Sequence, residues 1–241
     1  MISFIIPTLN EEKVIEKLLL NLREIKTFSY EIIVSDGGSV DRTVELAKKH
    51  ADKVLEYKEL KRQTIGQGRN AGAAAASGEY LVFLDADVHI FSPDEFFKNA
   101  FARFEQDEKL VGLGGFLRVL PDMETFADRI GYNIFSNWSF YFNNNILKTG
   151  GNCGEFGMIK KTAFEAIGGY SQILVAGEDF DLFFRLAKFG HVLTDPKLVV
   201  YHTGRRPHKI GWLKLLWIWN KEFWYVKFFH KSSVKEWEVI R

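Results

Sequence analysis

The chain has 241 residues, with 32 Lys and Arg against 31 Asp and Glu, so its formal net charge is +1. A chain so close to neutrality lacks the basic excess of a general nucleic-acid binder, so no nucleic-acid partner is expected. Its one cysteine, Cys153, excludes an internal disulfide and a thiolate-rich zinc site. Because the N-terminus also has no basic leader and only a short apolar run, we predict a cytoplasmic protein.

Strand and helix patterns alternate along the first half of the chain. Short apolar runs that predict strands occur in SFIIP (3–7), YEIIVSDGGS, KVLEY and YLVFL (80–84). Helix patterns lie between and after them, in TLNEEKVIEKLLLNLREIK, SVDRTVELAKKHA, GRNAGAAAASG and SPDEFFKNAFARFEQD. Such alternation predicts an α/β fold with a mixed, mostly parallel sheet and helices on both faces.

Two of these helices carry start signals. Thr8 or Asn10 can cap the first helix. Ser92 and Glu95 predict a capping box for the last one, with Pro93 at the first helical position.

The second half is less regular. It predicts a strand at 111–119, a strand leading into a helix in NCGEFGMIKKTAFEAIGG, a helix in GEDFDLFFRLAKFG and a strand pair in HVLTDPKLVVYHTG. The stretch from Ile130 to Leu147 has no charged residue but contains several asparagines. We therefore do not expect it to span a membrane.

Acidic residues follow two of the predicted strands. Asp36 follows the second strand, and Asp85 and Asp87 follow the buried run YLVFL. Ligands of open α/β sheets bind outside the carboxyl ends of the strands, so these acids are expected at one edge. Two carboxylates separated by one residue suggest a divalent cation or a cationic ligand. The alternative is that they cap the turn after the strand.

Five motifs in one order resemble a known family. SFIIPTLNEE, SDGGSVDRT, GRNAGAAAASGEYLVFLDADV, GGYSQILVAGEDFDLFFRLAKFG and VYHTG are similar to segments of the inverting family 2 glycosyltransferases, which have the GT-A fold. The resemblance covers roughly 1–205 and implies sugar transfer from a nucleotide-diphosphate sugar, assisted by Mn²⁺ or Mg²⁺. It divides the chain into a catalytic domain at 1–205 and a tail at 206–241.

The resemblance also implies a metal site. Asp85 would face the ribose and sugar of the donor, Asp87 would bind the metal, and Ala86 lies between them. A hard cation there neutralises the charge that grows on the leaving diphosphate. His202 matches a late histidine that completes the site in GT-A enzymes, and imidazole suits Mn²⁺ better than Mg²⁺. His89 is a rival ligand, because it would share a side with Asp87 if the chain stayed extended.

Further residues match the family's donor-binding segments. Glu11 has an alternative role as an acid in the first turn of a helix, and Arg206 as part of a solvated basic turn. Ser35 stands where the family usually has an acid, which places some base contacts in doubt. The residues expected to contact the nucleotide, the donor sugar or the phosphates are Pro7, Thr8, Glu11, Asp36, Arg69, Asn70, Gly151 and Arg206.

The GED segment is expected to supply the catalytic acids. An inverting transfer needs a carboxylate base opposite the leaving phosphate, to take the proton of the acceptor hydroxyl. The second acid of the motif has this role in the family, so Asp179 is the predicted base and Glu178 would position it or the acceptor. The alternative is two acids in the first turn of a helix, which the helix dipole favours.

The tail is rich in tryptophan. WLKLLWIWNKEFWYVKFF predicts a helix with a wide apolar face, Trp and Lys, which fits either a helix in a membrane interface or a helix packed on the catalytic domain. The first alternative predicts peripheral membrane contact through 210–229, on the cytoplasmic face.

Several substrates and functions stay open. UDP-sugars and GDP-mannose are both candidate donors, and the GED motif favours a hydroxyl acceptor, such as a glycan or a lipid-linked glycan, over a polyprenyl phosphate. A non-catalytic subunit that binds sugar nucleotides is a further alternative. A nucleotidyltransferase is disfavoured by the loop PTLNEE, and a Rossmann dehydrogenase by GQGRNAG, which does not directly follow a strand.

Overall fold

The computed structural model describes residues 1–60, 62–234, 236 and 240. Within them, seven strands form one sheet with the order β3-β2-β1-β4-β6-β5-β7. The strands are β1 (Ile2–Thr8), β2 (Tyr30–Asp36), β3 (Lys53–Glu56), β4 (Tyr80–Leu84), β5 (Leu110–Val119), β6 (Phe156–Lys160) and β7 (His191–His202).

The helices follow the predicted alternation in the first half. They are α1 (Ile15–Leu22), α2 (Thr43–His50), α3 (Ile65–Ala75), α4 (Pro93–Gln106), α5 (Phe126–Tyr132), α6 (Trp138–Tyr141), α7 (Lys161–Ala166), α8 (Glu178–Phe189), α9 (Arg205–Ile210) and α10 (Trp212–Phe229). One π-helical segment, Asn133–Asn137, joins α5 to α6, and a second, Phe142–Leu147, continues from α6. We call the continuous helical run helix 126–147. None of the described helices is long and apolar enough to cross a membrane.

The strand directions determine which residues share an edge of the sheet. β1 to β4 are mutually parallel, β6 is antiparallel to β4 and β5, and β5 is parallel to β7. The predicted mixed, mostly parallel sheet is therefore confirmed. Because β6 runs opposite to β4 and pairs Phe156 with Leu84, the residues just before β6 lie beside Asp85. The ends of β5 and β7 also reach this edge, which brings His202 to it.

Helices cover both faces of the sheet. In β1, Phe4 and Ile6 belong to the apolar cluster that also contains residues of α1 and α4. Ile5 points to the other face, with residues of α3, α7 and α8. Gly72 of α3 allows that helix to lie close to the sheet, since a Cβ there would lie 2.4 Å from Ile5 Cγ2.

Both predicted helix caps are wrong. α1 begins at Ile15 with Val14 as its N-cap, because Thr8 ends β1 and Asn10, with a φ of 57°, accepts from the Val40 amide. α4 begins at Pro93 as expected. However, Ser92 has a φ of 52°, and in the described structure its side chain makes no capping bond.

The predicted strand pair near residue 200 is also wrong. HVLTDPKLVVYH forms one strand, β7, which pairs along β5. The register shifts between Gly115, opposite Asp195, and Phe116, opposite Val199. The residues around Pro196 therefore form an irregularity within the strand, and the chain does not reverse direction there.

The tail packs on the domain and also exposes aromatic rings. In α10, Trp212 packs edge-on against Tyr132 of α5, with ring centroids 4.9 Å apart. A Cβ at Gly131 would lie 2.5 Å from the Trp212 ring, so glycine permits this approach. Trp217 and Phe228 of the same helix are each 64% exposed. The boundary between 1–205 and 206–241 stays a prediction.

Candidate active site

A cavity of about 1130 Å³ lies at the carboxyl edge of the sheet. Its wall comes from the loops after β1, β2 and β4, the segment before β6, the start of α8, and parts of helix 126–147, α9 and α10. The predicted site residues that line it are Pro7, Thr8, Glu11, Arg69, Asp85, Ala86, Asp87, Glu178, Asp179, His202 and Arg206. The structure thus brings predicted donor, metal and catalytic residues into one cavity.

Arg69 lies at the centre of the acidic side of this cavity. Its helix, α3, begins at a capping box made by Thr64 and Gln67, and its side chain is fully buried. Nη1 donates to Glu178 Oε1 (2.9 Å) and Asp179 Oδ1 (2.6 Å). Nη2 donates to Asp85 Oδ1 (2.9 Å) and to the Gly154 carbonyl (3.0 Å). One guanidinium therefore joins Asp85, which follows β4, to both Glu178 and Asp179 of the GED segment.

The Arg69 guanidinium remains charged despite its burial. Burial alone would lower the pKa of Arg69, but Asp179, Tyr170, Asp85 and Glu178 raise it well above the usual value. The Tyr170 ring lies 5.2 Å from the guanidinium carbon, and the Tyr170 hydroxyl donates to Asp179 Oδ1 (3.2 Å). These contacts fix the orientation of the Asp179 carboxylate.

Several carboxyl groups crowd the cavity around Arg69, and burial raises the pKa of three of them. Burial, with the charges of Asp87 and Asp179, raises the pKa of Asp85 to about 6 against the opposing effect of Arg69. Burial and Asp179 raise the pKa of Glu178 to about 8. The pKa of Glu155 is also raised to about 8, by burial and then by Asp85.

Glu155 was not predicted as a site residue. It precedes β6, and only the antiparallel insertion of β6 beside β4 brings it to Asp85. Such a pairing leaves no local signal in the sequence.

Arg205 was also missed, and it organises the other side of the cavity. Its Nη atoms donate to both carboxylate oxygens of Glu11, at 2.7 and 2.9 Å. Its Nε lies 3.2 Å from Asp87 Oδ2, which also accepts a short bond from the Thr203 hydroxyl. Because α1 begins only at Ile15, the alternative that Glu11 is a first-turn helix acid is wrong.

His202 is the histidine that reaches the cavity. It is buried, and in the described part of the chain its Nε2 has no hydrogen-bond partner. Burial lowers the pKa of His202 more than the charge of nearby Asp87 raises it, so the ring is neutral at pH 7. Its Nδ1 accepts from the Gly204 amide at 3.3 Å, and a metal on Nε2 would require this contact to open, with the proton on Nδ1.

His89 lies outside the cavity. The chain turns at Ala86 and Asp87, with the Val88 amide donating to the Asp85 carbonyl, so it does not stay extended. The His89 ring packs against Phe91, with centroids 4.7 Å apart. The premise that put His89 on the same side as Asp87 is therefore wrong.

The donor set fits a divalent cation in its chemistry. Asp85 and Asp87 offer hard oxygen ligands, and His202 offers an unpartnered buried nitrogen close to Asp87. Both carboxylates are paired with arginines, and no group of three or more His, Cys, Asp or Glu among the described residues is arranged to hold an ion. An ion bound by Asp85 Oδ1 or Asp87 Oδ2 would therefore displace an arginine contact.

Three residues predicted to contact the sugar donor do not line the cavity, and instead hold the segments around it in place. Asp36 accepts from the Thr8 hydroxyl (3.0 Å) and from the amides of Gly38 and Ser39, and so holds the turn after β2. Asn70 makes two hydrogen bonds with the backbone of Tyr170. The Gly151 carbonyl accepts from Asn144 Nδ2 at 2.8 Å.

A sequence model described as Glycosyl transferase family 2 matches residues 3–168. The chain belongs to this family. It is 29% identical over 227 residues to the succinoglycan biosynthesis protein ExoA of Rhizobium meliloti, covering 86% of the chain and 65% of that protein. It is 31% identical over 220 residues to a dolichyl N-acetyl-α-D-glucosaminyl phosphate 3-β-D-2,3-diacetamido-2,3-dideoxy-β-D-glucuronosyltransferase of Methanococcus voltae, covering 82% of the chain and 65% of that protein. The chain thus spans about two thirds of the length of these relatives.

Solved structures confirm the GT-A fold. A mannosyltransferase from Pyrobaculum calidifontis, in complex with GDP-Man and Mn²⁺, has a TM-score of 0.72 at 19% identity and covers 97% of the chain and 65% of its own. TarS from Staphylococcus aureus, in complex with UDP-GlcNAc, has a TM-score of 0.62 at 20% identity and covers 83% of the chain and 57% of its own.

Proposed function

We propose that this family 2 member is a metal-dependent inverting glycosyltransferase that moves a sugar from a nucleotide-diphosphate sugar to a hydroxyl acceptor. The observation that carries the proposal is the Arg69 cluster, in which one buried guanidinium joins Asp85 to Glu178 and Asp179 within a single cavity. Donor-side and acceptor-side acids placed so close together suit a displacement at the sugar carbon between them.

The donor side consists of the loops after β1 and β4. Pro7, Thr8 and Glu11 line the wall where the nucleotide would lie, with Asp85 and Asp87 beside the diphosphate. A divalent cation bound by Asp85, Asp87 and His202 would neutralise the charge that develops on the leaving diphosphate. UDP-sugars and GDP-mannose both stay candidates, since structural neighbours of the chain were solved with donors of each kind.

Asp179 is the proposed base. It removes the proton of the acceptor hydroxyl as the new oxygen–carbon bond forms and the bond from that carbon to the diphosphate oxygen breaks. Attack opposite the leaving group inverts the sugar carbon. Glu178, whose pKa is about 8, is protonated at neutral pH and shares a hydrogen bond with Asp179. It therefore positions the base and does not replace it.

The acceptor is proposed to be a glycan or a lipid-linked glycan. An acceptor phosphate is already ionised and needs no base, whereas the Asp179 carboxylate is held in place by Arg69 and Tyr170. The name of the Methanococcus voltae relative describes transfer to a dolichyl-linked sugar phosphate, which supports the same class of acceptor. Transfer directly to a polyprenyl phosphate is the alternative.

The membrane contact expected at 210–229 belongs to the same proposal. α10 exposes Trp217, Trp224 and Phe228, and its one acid, Glu222, is buried and bonded to Ser233. Lys221 lies over the Trp217 ring and Lys227 over the Trp224 ring. An apolar helix face that carries exposed Trp and Lys is typical of a helix at a membrane interface.

Thermal-shift binding of UDP and GDP, each with Mn²⁺ or with EDTA, tests the proposed function. A ligand that binds only the folded state at about a hundred times its Kd stabilises it by about 2.7 kcal/mol, which for a chain of this size raises the Tm by roughly 5–10 °C. We expect such a shift with one base, in Mn²⁺ only.

Two variants sharpen the experiment. Asp87→Asn should abolish the shift, while Asp122→Asn, at an exposed acid in the turn after β5, should retain it. The absence of a shift with every nucleotide in Mn²⁺ would refute the proposal.

A further inference from the structure

Helix 126–147 is amphipathic in the opposite sense to an ordinary surface helix. Its outward residues are apolar and between 42% and 78% exposed, and they recur at every fourth position: Phe126, Ile130, Ile134, Trp138, Phe142 and Ile146. The inward residues two positions later are mostly polar and buried, and include Asp128, Ser136 and Asn144. A water-facing surface would favour the reverse arrangement.

The alternation of α and π turns keeps the apolar residues in one straight row. In a pure α-helix, residues four apart drift around the axis by about 40° per step, so the row would wind away from one face. A π turn holds more residues than an α turn and drifts in the opposite direction. Because α5 and α6 alternate with π segments, the two drifts offset each other. We call this row the outer stripe.

The polar inward face explains how the helix is held with its apolar side outward. Asn137 exchanges two hydrogen bonds with the backbone of Leu117 in β5, at 2.7 and 2.9 Å. Asn144 donates to the Gly151 carbonyl and to the Thr194 hydroxyl, both at 2.8 Å. The helix is therefore attached to the sheet mainly by polar contacts. Trp138 also packs edge-on against Phe116 of β5, with centroids 5.3 Å apart, and each outward apolar side chain keeps an exposed side that another surface can cover.

Every residue from 126 to 148 is described, and the exposed charged residues there are Arg129 and Lys148. Arg129 is paired with Glu124 at 2.7 Å, and Asp128 is buried beneath Trp212 and His208, so Lys148 is the exposed charge of the helix that has no ion pair among the described residues. α10 repeats the pattern, with Lys214 and Lys227 exposed and Glu222 buried. A second copy presenting the same face would bring basic groups against basic groups, whereas an anionic lipid surface would attract them.

We propose that the outer stripe of helix 126–147 docks the protein on an anionic lipid surface, with the lysines of α10 beside it. Helix 126–147 and α10 both line the cavity, through Phe135 and Phe140 and through Leu216 and Trp219. The docked cavity opens next to the lipid, where the head of a lipid-anchored acceptor can enter it. The proposal that the protein docks on lipid rests on this surface alone. The entry of a lipid-anchored acceptor into the cavity rests on the proposed function as well.

Flotation with vesicles tests the docking. The wild type is mixed with vesicles of phosphatidylcholine alone and of phosphatidylcholine with phosphatidylglycerol. We expect it to float with the anionic vesicles. The stripe variant, Ile130→Gln/Phe142→Gln/Ile146→Gln, should bind these vesicles at least about tenfold more weakly, because it loses three apolar side chains whose transfer from water into the lipid favours binding. The matched control Leu20→Gln/Val40→Gln/Phe189→Gln removes apolar side chains that are at least as exposed elsewhere and should bind like the wild type.

Folding and oligomeric state are measured on the same samples. The stripe variant should keep the wild-type Tm and the wild-type response to nucleotide, because none of the three side chains is buried. Equal flotation of the stripe variant and the wild type, or no flotation of either, would refute the docking. A wild type that is dimeric by sedimentation, with a stripe variant that is monomeric, would identify a second copy as the occupant and also refute it. A failed nucleotide shift would instead count against the proposed function.

Discussion

At the residue scale, Arg69 has the largest structural role in the site. It is fully buried and satisfies three carboxylates from α8 and the end of β4. Removing one partner of a buried ionic cluster costs about 3–5 kcal/mol, because the remaining charges stay buried and repel one another. We expect Arg69→Met to lower the free energy of unfolding in urea by that amount.

A surface arginine provides the control for this prediction. Arg118 pairs with Glu124 at 2.9 Å, but its side chain is 42% exposed. Arg118→Met should cost less than about 1 kcal/mol, because Arg118 is half exposed and the Glu124 carboxylate keeps a second partner, Arg129, at 2.7 Å. If Arg69→Met cost no more than Arg118→Met, the Arg69 cluster would not be the structural centre of the site.

The proposed base gives a kinetic prediction at the same scale. A general base contributes about 10²–10⁴ in rate, so Asp179→Asn should lower kcat by that factor with little change in nucleotide binding. Glu178→Gln should lose much less, because Gln can still donate to Asp179. Near wild-type turnover in Asp179→Asn would favour an acceptor phosphate, which needs no base.

Glu178 also gives a prediction for pH. Its pKa is about 8 in the folded protein against 4.5 when unfolded, so between these values the folded state retains a proton that the unfolded state has lost. The stability contributed by Glu178 is therefore full below pH 4.5 and lost as the pH rises through about 8. Urea unfolding at pH 5.5 and 8.5 should show a fall for the wild type and a smaller fall for Glu178→Gln. An equal fall in the free energy of unfolding of the wild type and of Glu178→Gln would contradict the raised pKa of Glu178.

At the element scale, helix 126–147 depends on its inward asparagines. Asn144 is fully buried and donates to two acceptors, so Asn144→Ala leaves the Gly151 carbonyl and the Thr194 hydroxyl unpaired. We expect a loss of about 1–3 kcal/mol in the free energy of unfolding. Asn143→Ala should cost less than about 0.5 kcal/mol, because the side chain of Asn143 makes one long contact, 3.4 Å to Thr149. Equal losses would show that the asparagines do not hold the helix.

The same helix shows a limit of sequence analysis. Apolar residues at every fourth position match neither the α-helical period of 3.6 nor the strand period of 2, so the pattern of 126–147 predicts no element. The π turns that make a four-residue period continuous are recognised only in the structure. By contrast, the strand that ends at Asp85 is evident from its apolar run, and α8 from the spacing of its apolar residues.

The missed side chains have a similar explanation at the scale of the whole molecule. Asp85, Asp87 and Asp179 lie in local motifs, so the sequence alone identifies them as candidate site residues. Arg205 and Glu155 enter the site only because β7 and β6 take particular places and directions in the sheet. Strand order across β4-β6-β5-β7 depends on contacts between distant segments, which no local pattern records.

The sheet order also has a consequence for synthesis of the chain. β1 to β4 are complete by residue 84, and Arg69 is then available with Asp85 as a partner. Its other acceptors, in Gly154, Glu178 and Asp179, follow up to 110 residues later. A half-made chain therefore exposes a cation that the finished protein buries, and its first four strands lack part of what stabilises them. The acidic cluster is complete only when α8 has left the ribosome, and the core is complete later still, because β7 follows α8 and supplies Leu198 and Val200.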